Sequence, residues 1–425
     1  MSSKNWLRAV APDVTPLKDS RSYRLLWLGQ LVSVTGSQLR HAIVAYHIYQ
    51  LTDSTFAVGL VGAFQAGPLI AFSLWGGVIA DAVDRRRLLV FTQIGLIGVM
   101  VALAIGTQTG IAGVWYIYLL TAVAASLFAL DAPARQSLIP TLVERHQIPA
   151  AMALNQVLFQ TAQILGPALG GLVIAKINIA AGYWIDAATF GAGLWSVVLM
   201  KTPARSPGGT RPGIKSLMEG LRYLRSNEIL WSTMAIDFLA MFFGWPRALF
   251  PYYADKVFNA GPQGYGLLTA APGIGALVGA LTAGWATRIR YQGAAVIGCV
   301  AVWGLAIAGF GLLRGSFVVA LILLAIAGAA DVFSAIFRGT IVQMGVPDQL
   351  RGRITSVNLM VVISGPRLGE VESGMVAGVT SPRFSAISGG LVTVLAAIGA
   401  FFLIPRLRRY KVDPEEVRPP PVEPD

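Results

Sequence analysis

Long apolar stretches follow one another along almost the whole chain, and only short polar connections separate them. Twelve stretches can be drawn, each of about 20 residues or more, which is the length that an α-helix needs to cross a bilayer core. Backbone groups in lipid must hydrogen-bond within the chain, so each stretch is predicted to be a helix. The stretches are residues 25–50, 55–80, 88–107, 112–134, 150–175, 180–200, 229–254, 264–287, 292–313, 316–338, 354–379 and 384–404.

The composition supports the same fold class. Hydrophobic residues make up 55% of the 425 residues and charged residues only 13%, whereas about a quarter of a soluble domain is charged. The net charge of +12 lies in short clusters between the apolar stretches, without the continuous basic face of a nucleic-acid-binding protein. The sequence therefore predicts an all-α integral membrane protein whose partner is the lipid bilayer and not nucleic acid.

The distribution of Lys and Arg predicts how the chain is oriented. Twenty-six of these residues lie in the two tails and in the connections after the even-numbered stretches, against four in the opposite connections. Short loops rich in positive charge stay in the cytoplasm, so both termini are predicted to be cytoplasmic. The expected location is the cell inner (plasma) membrane, which the chain crosses several times.

The longest connection divides the chain into six stretches plus six. Within it, Ile214, Leu217, Leu221 and Leu224 recur at helical spacing among basic residues, which predicts an amphipathic helix on an anionic leaflet. The predicted organisation is a cytoplasmic N-terminal tail over 1–24, a six-helix half over 25–200, a cytoplasmic linker over 201–228, a second six-helix half over 229–404, and a disordered cytoplasmic tail over 405–425.

Short motifs recur in the two halves, about 200 residues apart. Two pseudo-symmetric six-helix halves predict a fold whose halves rock about a central site. Channels and membrane enzymes can also be duplicated, so the repeat alone leaves those classes open. The recurring motifs are Gly166-Pro167-Ala168-Leu169-Gly170 with Gly365-Pro366-Arg367-Leu368-Gly369, and Gly59-Leu60 with Gly266-Leu267.

The connection 81–87 concentrates charge between two apolar stretches. Gly77 precedes it, Asp81 and Asp84 lie near the C-terminal end of a predicted helix, and Arg85 and Arg86 follow. The helix dipole disfavours acids at that end, so the two aspartates need cationic partners or a neighbouring helix N-terminus. Charge alone leaves two interpretations open, a solvated turn that fixes topology or an ion-paired gate.

The same residues resemble the signature loop of the major facilitator superfamily, which reads Gly, three residues, Asp, a basic residue, any residue, Gly and two basic residues. Gly77, Asp81 and the two arginines match it, whereas Ala82 and Asp84 depart from it. The resemblance implies a transporter in which ion pairs of this loop hold the cytoplasmic face closed and break as the halves rock. The two departures leave the pairing of the charges open.

A second motif, made by Gly166, Pro167, Gly170 and Gly171, resembles the Gly-Pro-x-x-Gly-Gly motif of the superfamily's antiporters, which are mostly drug exporters. Small residues allow close helix crossing and proline bends a span, so ordinary helix packing is the alternative interpretation. The order of motifs resembles the branch of siderophore exporters and macrolide efflux pumps. It implies proton-driven export of a bulky amphipathic small molecule, siderophore-like or drug-like, by a monomer without a cofactor.

Charged residues inside the predicted spans are the candidates for transport and coupling. A charge at mid-bilayer costs about 2.5–3.5 kcal/mol on insertion scales, so these side chains should face the bundle interior and find partners. Glu370 and Glu372 project about 200° apart on a helix, and Arg367 is the nearby cation of the same span. Together with Arg40 and Asp237, these residues are predicted to serve proton coupling or the substrate cavity.

Two further charge pairs are predicted within single helices. Asp131 and Arg135 lie at i,i+4, and Asp331 and Arg338 lie two turns apart on one face. Both pairs lie toward the predicted cytoplasmic rim, which favours mutual neutralisation over a direct role in transport.

Other classes of function fit the sequence less well. The nearest approach to a phosphate-binding loop, over 208–216, has one residue too many before its lysine and no preceding strand, so the chain is not predicted to be an enzyme that hydrolyses ATP. No zinc-type His/Cys cluster occurs. A channel or a membrane enzyme acting on lipid is disfavoured because the intramembrane charges are isolated. Uptake or lipid flipping by the same fold stays open.

Overall fold

The computed structural model describes residues 13–82, 84–200, 214–346 and 348–412. These residues form helices and turns, with no β-strand in the ranges described. The principal helices are α1 Arg21–Thr52, α2 Thr55–Ala82, α3 Arg85–Gln108, α4 Val114–Leu142, α5 Ile148–Lys176, α6 Ile179–Leu199, α7 Ile214–Ser226, α8 Glu228–Phe243, α9 Gly261–Thr282, α10 Gln292–Leu312, α11 Phe317–Gly345, α12 Asp348–Val379 and α13 Pro382–Leu403.

Nine segments in the described ranges are long and apolar enough to cross a membrane, and they contain α2–α5, α8–α11 and α13. The helices α1, α6 and α12 have 32, 21 and 32 residues and are also long enough to span. Each of these three helices carries charged residues, among them Arg40 in α1, Asp186 in α6 and Glu370 in α12. The chain is therefore a multi-pass membrane protein.

Several helices differ at their ends from the predicted stretches. Helix α4 is predicted over 112–134 but continues to Leu142, because Leu138, Ile139 and Leu142 of the added turns are buried. The stretch predicted over 229–254 is broken, since α8 ends at Phe243 and a 3₁₀ turn, Arg247–Leu249, follows. Gly244 and Pro246 lie at this break, where a proline removes a backbone donor. The stretch predicted to reach 287 ends as an α-helix at Thr282.

Short connections make successive helices run in opposite directions, so the bundle has two ends. We call the end that carries the connections 53–54, 109–113, 177–178, 258–260, 313–316 and 380–381 the Asp53 end. The opposite end, which carries the loop before α3, is called the Arg85 end. The helices before the linker, α1–α6, form the first helix set, and α8–α13 form the second.

The two helix sets contact each other tightly near the Asp53 end. A Cβ atom added to Gly59 of α2 would lie 2.8 Å from the Gly374 Cα of α12, and one added to Gly171 of α5 would lie 2.8 Å from the Gly266 Cα of α9. Such distances leave no room for a side chain, so glycine permits these backbones to approach. Gly59 and Gly266 belong to recurring motifs, so related segments of the two sets make related crossings.

The linker and the tail are described in part. Residues 214–226 form helix α7, in which Leu224 is buried and Met218 is 57% exposed. Residues 201–213 of the linker lie outside the described residues. Within the tail, Pro405–Arg408 is helical and Leu407 is buried. Residues 1–12 and 413–425 also lie outside the description.

Candidate functional site

A central cavity of about 260 Å³ lies between the two helix sets. Helices α1 to α5 line one side of it, and the break after α8 together with α12 lines the other. The wall combines apolar side chains such as Met100, Phe128 and Phe159 with polar ones such as Arg40 and Gln65. A concave, mostly apolar site with a few polar groups is the usual form of a small-molecule binding site.

The central cavity continues toward the Asp53 end as a narrow pocket of about 30 Å³. Arg247, Gln65 and Arg367 line both spaces, whereas Tyr265 and Glu370 line only the narrow pocket. The Tyr265 hydroxyl donates a hydrogen bond to the Ala42 carbonyl at 3.0 Å. This bond joins α9 to α1 at the wall of the narrow pocket.

Further polar contacts join the two helix sets at the Asp53 end. The Tyr46 hydroxyl donates to Asp255 at 3.0 Å, and the Lys256 ammonium lies 3.2 Å from a carboxylate oxygen of Asp53. The hydrogen bond from Lys256 lowers the pKa of Asp53, which keeps this pair ionised at neutral pH. Because the pair is exposed, it contributes little stability, and the glycine crossings carry most of the contact.

In the other direction, the cavity continues toward the Arg85 end. A small pocket of about 30 Å³ is lined by Gln30, Asp131, Arg135 and Gln136, and it shares Phe159 with the central cavity. Gln136 is exposed. The chain of spaces therefore runs from the closed Asp53 end to polar residues near the Arg85 end.

Arg40 lines the central cavity, as the sequence predicts. Its guanidinium Nε lies 3.6 Å from a carboxylate oxygen of Asp186 on α6, and both side chains are buried. The guanidinium carbon also lies 5.8 Å from the centre of the Phe190 ring. Asp186 thus supplies the counter-charge that a buried arginine requires.

Arg367 and Glu370 form an ion pair of 3.4 Å on α12. Arg367 lines the central cavity and Glu370 lines the narrow pocket. Glu372 lines neither of these spaces and is half-buried on another face of α12. Of the two predicted acids, Glu370 is therefore the one that lies at the cavity.

Asp237 does not lie with Arg40 and Glu370, contrary to the predicted grouping. Its carboxylate lies 2.6 Å from the Arg338 guanidinium, which joins α8 to α11. Arg338 is 3.9 Å from Asp331, the partner predicted on its own helix. The predicted local pair is thus one side of a three-residue cluster, in which two carboxylates share one arginine.

Asp131 and Arg135 form the predicted pair on α4. The Arg135 Nε lies 2.5 Å from a carboxylate oxygen of Asp131, and the Thr92 hydroxyl donates to the other oxygen at 2.8 Å. Both charged residues are buried. Gln93, with its amide oriented to satisfy its neighbours, joins Arg135 to the Phe190 carbonyl of α6.

The charged loop at the Arg85 end fastens three helices of the first set. Asp84 caps α3 by accepting a hydrogen bond from the Arg87 backbone at 2.9 Å, so its carboxylate lies at a helix N-terminus, where it is favoured. Arg85 donates to the Ser137 carbonyl of α4 at 3.0 Å, and Arg86 donates to the Val197 carbonyl of α6 at 3.3 Å. The Asp81 side chain and the surroundings of Gly77 are not among the features that the structure describes.

The Gly-Pro motif of α5 contacts both helix sets. Gly166 and Gly170 pack on α1 beside Leu39, within the first set. A Cβ atom on Gly171 would lie 2.5 Å from the Pro262 carbonyl oxygen of α9. The motif therefore combines packing within one set with the crossing between the sets.

Three site residues escape prediction from the sequence. Asp186 is 146 positions from Arg40 in the chain, and a lone acid in an apolar helix signals only that a partner exists. Arg247 reaches the cavity because α8 breaks before it, which Gly244 and Pro246 could have signalled. Gln65 is one of several glutamines in apolar helices and carries no motif.

Comparison with known proteins identifies the family. The model of the transmembrane secretion effectors, a family of the major facilitator superfamily, matches residues 11–424. The chain belongs to this family. It is also 26% identical over 423 residues to the enterobactin exporter EntS of Escherichia coli O81 (strain ED1a), with 98% of this chain and 99% of that protein covered. EntS of Shigella boydii serotype 18 shows the same identity and coverage.

Solved transporter structures share the fold. A peptide transporter POT superposes with a TM-score of 0.75 at 14% identity, covering 97% of this chain and all of that one. The nucleoside transporter NupG gives 0.74 at 11% identity, covering 90% and 100%. A bacterial homolog of the human lysosomal transporter Spinster, solved inward-facing, gives 0.71 at 16% identity, covering 96% and 98%.

Proposed function

We propose that this protein is a secondary-active exporter that moves a bulky amphipathic small molecule, siderophore-like or drug-like, out of the cell in exchange for protons. The observation that carries the proposal is the central cavity, which lies between two helix sets that are closed at the Asp53 end. Membership of the transmembrane secretion effectors and the likeness to an enterobactin exporter support the direction of transport.

The proposed machine has twelve membrane-spanning helices in two pseudo-symmetric halves, α1–α6 and α8–α13. The nine apolar segments supply most of the spans, and α1, α6 and α12 supply the other three. In these three helices Arg40 pairs with Asp186, and Arg367 pairs with Glu370. Pairing lowers the cost of placing these charges in a bilayer. The crossings of Gly59 with Gly374 and of Gly171 with Gly266 support a repeat of structure.

The Arg85 end is proposed to face the cytoplasm, with both termini on that side. The bias of 26 Lys and Arg to four supports this orientation. The structure then corresponds to a state closed toward the outside, in which substrate enters from the cytoplasm. Export requires the halves to rock, so that the glycine crossings separate and the Arg85 end closes. The loop of Asp81, Asp84, Arg85 and Arg86 is proposed to stabilise that second closure.

Comparing cells that lack the gene with cells in which it is restored tests the direction of transport. An exporter predicts a higher intracellular level of its substrate in the cells lacking the gene, measured with labelled siderophores, macrolides and dyes. An uptake carrier of the same fold predicts a lower level. Equal levels of every compound across the panel would contradict export of this substrate class.

Glu370 is proposed to carry the coupled proton. When ionised it pairs with Arg367, and protonation releases that arginine toward the cavity. We expect Glu370→Gln to retain downhill exchange of substrate but to lose the acceleration that a pH gradient gives the wild type. Transport by reconstituted protein, with and without a gradient, measures this dependence.

The matched control for this variant is Glu144→Gln. The Glu144 side chain is 77% exposed in the connection before α5, so the same loss of charge should leave gradient dependence intact. If Glu370→Gln responds to the gradient as the wild type does, Glu370 is not the proton carrier.

A further inference from the structure

Arg247 presents a positive charge to the cavity and lies in no ion pair among the residues that the structure describes. It lies in the turn Arg247–Leu249 that follows the break after α8, and it lines both the central cavity and the narrow pocket. Its Nε is buried and has no hydrogen-bond partner, and its guanidinium forms no ion pair within the described part of the chain. Its guanidinium carbon lies 5.4 Å from the centre of the Trp245 ring, and the nearby acid that stabilises its charge is Glu370.

The other arginines of the cavity are neutralised by the protein. Asp186 lies 3.6 Å from Arg40, and Glu370 lies 3.4 Å from Arg367. Glu370 also lines the narrow pocket with Arg247, so three arginines share two carboxylates and the walls carry one excess positive charge. An excess buried charge is costly, so a binding cavity with this balance calls for an anionic ligand.

The surroundings of Arg247 also favour an acceptor-rich ligand. The Trp245 indole Nε1 is buried without a hydrogen-bond partner and lines the same cavity. An indole N–H and a guanidinium can only donate, so two neighbouring donors await an acceptor. The hydroxyl of Thr121, which can also donate, is buried and unpartnered in the same wall. The buried Gln65 Oε1 is unpartnered too, but it can only accept and would take a donor of the ligand.

The rest of the wall sets the character of the ligand body. Apolar and aromatic side chains from both helix sets surround the donors, among them Leu69, Met100, Leu103, Phe128 and Phe159. We propose that the transported substrate is an organic anion, with a carboxylate or phenolate group held by Arg247 and Trp245 and an apolar or aromatic body against this wall. This inference rests on the proposed transport function.

Glu370 supplies a second test of the same charge balance. It lines the narrow pocket together with Arg247, so its negative charge opposes an anion bound there. Removing that charge should strengthen anion binding, whereas removing the Arg247 charge should weaken it. The two variants thus move anion affinity in opposite directions.

Two xanthene dyes of opposite charge provide the probes, the carboxylate-bearing fluorescein and the cationic rhodamine 6G. Binding is measured by fluorescence polarisation to the full-length protein in nanodiscs of neutral phosphatidylcholine. We expect the wild type to prefer fluorescein. Arg247→Gln should lower fluorescein affinity by about 10-fold to 100-fold, as for loss of a charged hydrogen-bonding group, while rhodamine 6G affinity stays level or rises. Glu370→Gln should raise fluorescein affinity.

Arg314→Gln is the matched control, because Arg314 is exposed in the connection after α10 and should leave both affinities unchanged. Arg247→Lys keeps the charge and should retain part of the preference, which tests the proposal even if the glutamine variant folds poorly. Preference of the wild type for rhodamine 6G, binding of neither dye, or equal loss of both dyes in Arg247→Gln would overturn the proposal.

These binding results are independent of the transport results. Anion preference in a protein whose gene does not alter substrate accumulation would support the binding site and refute the export function. Export without any effect of Arg247 on anion affinity would refute only the binding site.

Discussion

Replacing Gly171 by leucine is expected to reduce transport at least about 5-fold, because the substitution prevents the Asp53 end from closing. A Cβ atom at this position would lie 2.5 Å from the Pro262 carbonyl oxygen and 2.8 Å from the Gly266 Cα. Both are backbone atoms of α9, which cannot move aside as a flexible side chain can. Overpacking costs about 1–3 kcal/mol, which shifts the balance of closed and open states by about 5-fold to 150-fold.

The balance between states that are open and closed at the Asp53 end can be measured by thiol accessibility as well as by transport. Cys299 is the one cysteine of the chain, so Cys299→Ser provides a background for Ala45→Cys in the narrow pocket. A membrane-impermeant maleimide added from the Asp53 side should label this thiol faster when Gly171→Leu is also present.

Gly98→Leu is the control, since Gly98 is exposed on α3 and nothing lies within 4 Å of an added Cβ atom. It should leave both labelling and transport as in the wild type. Wild-type transport by Gly171→Leu would contradict a functional role for the crossing, and the Gly-Pro motif would then be ordinary packing.

Replacing Arg338 by methionine should destabilise the protein by about 3–5 kcal/mol, as for removal of one partner from a buried ion pair. Asp237 lies 2.6 Å from Arg338 and its side chain is 2% exposed, and Asp331 lies 3.9 Å away. Without the arginine, two carboxylates face each other with no counter-ion. Asp237→Asn should cost less, because Asp331 still neutralises Arg338.

The apparent melting temperature of the protein in detergent measures this effect. Arg290→Met, at an exposed position, should leave the melting temperature within about a degree or two, as most surface substitutions do. A melting temperature for Arg338→Met equal to that of the wild type would mean that the cluster does not hold α8 and α11 together.

The helices and most of their bounds are predictable, because an apolar stretch in lipid must form a helix to satisfy its backbone hydrogen bonds. Prediction fails where a local exception decides the geometry. The stretch predicted over 229–254 contains Gly244 and Pro246. Helix α8 ends just before these residues, and the turn that follows places Arg247 at the cavity. Periodicity and hydropathy are averages over a stretch, so neither of them reveals a break at one position.

The site was harder to predict than the fold for a related reason. Pairs within one helix, such as Asp131 with Arg135 and Arg367 with Glu370, follow from helical spacing and are present. Pairs between helices depend on which helices are neighbours. Arg40 therefore pairs with Asp186, and Asp237 with Arg338, although a single sequence gives no reason to prefer these partners.

Transport into inside-out membrane vesicles tests whether the protein is a proton-driven exporter. Vesicles that contain the protein expose its Arg85 end to the medium, if that end is cytoplasmic. With an acidic lumen, we expect labelled substrate to accumulate inside the vesicles and to be released when the pH gradient is collapsed. Loss of preloaded substrate to the medium under the same gradient, or accumulation that ignores the gradient, would contradict a proton-driven exporter.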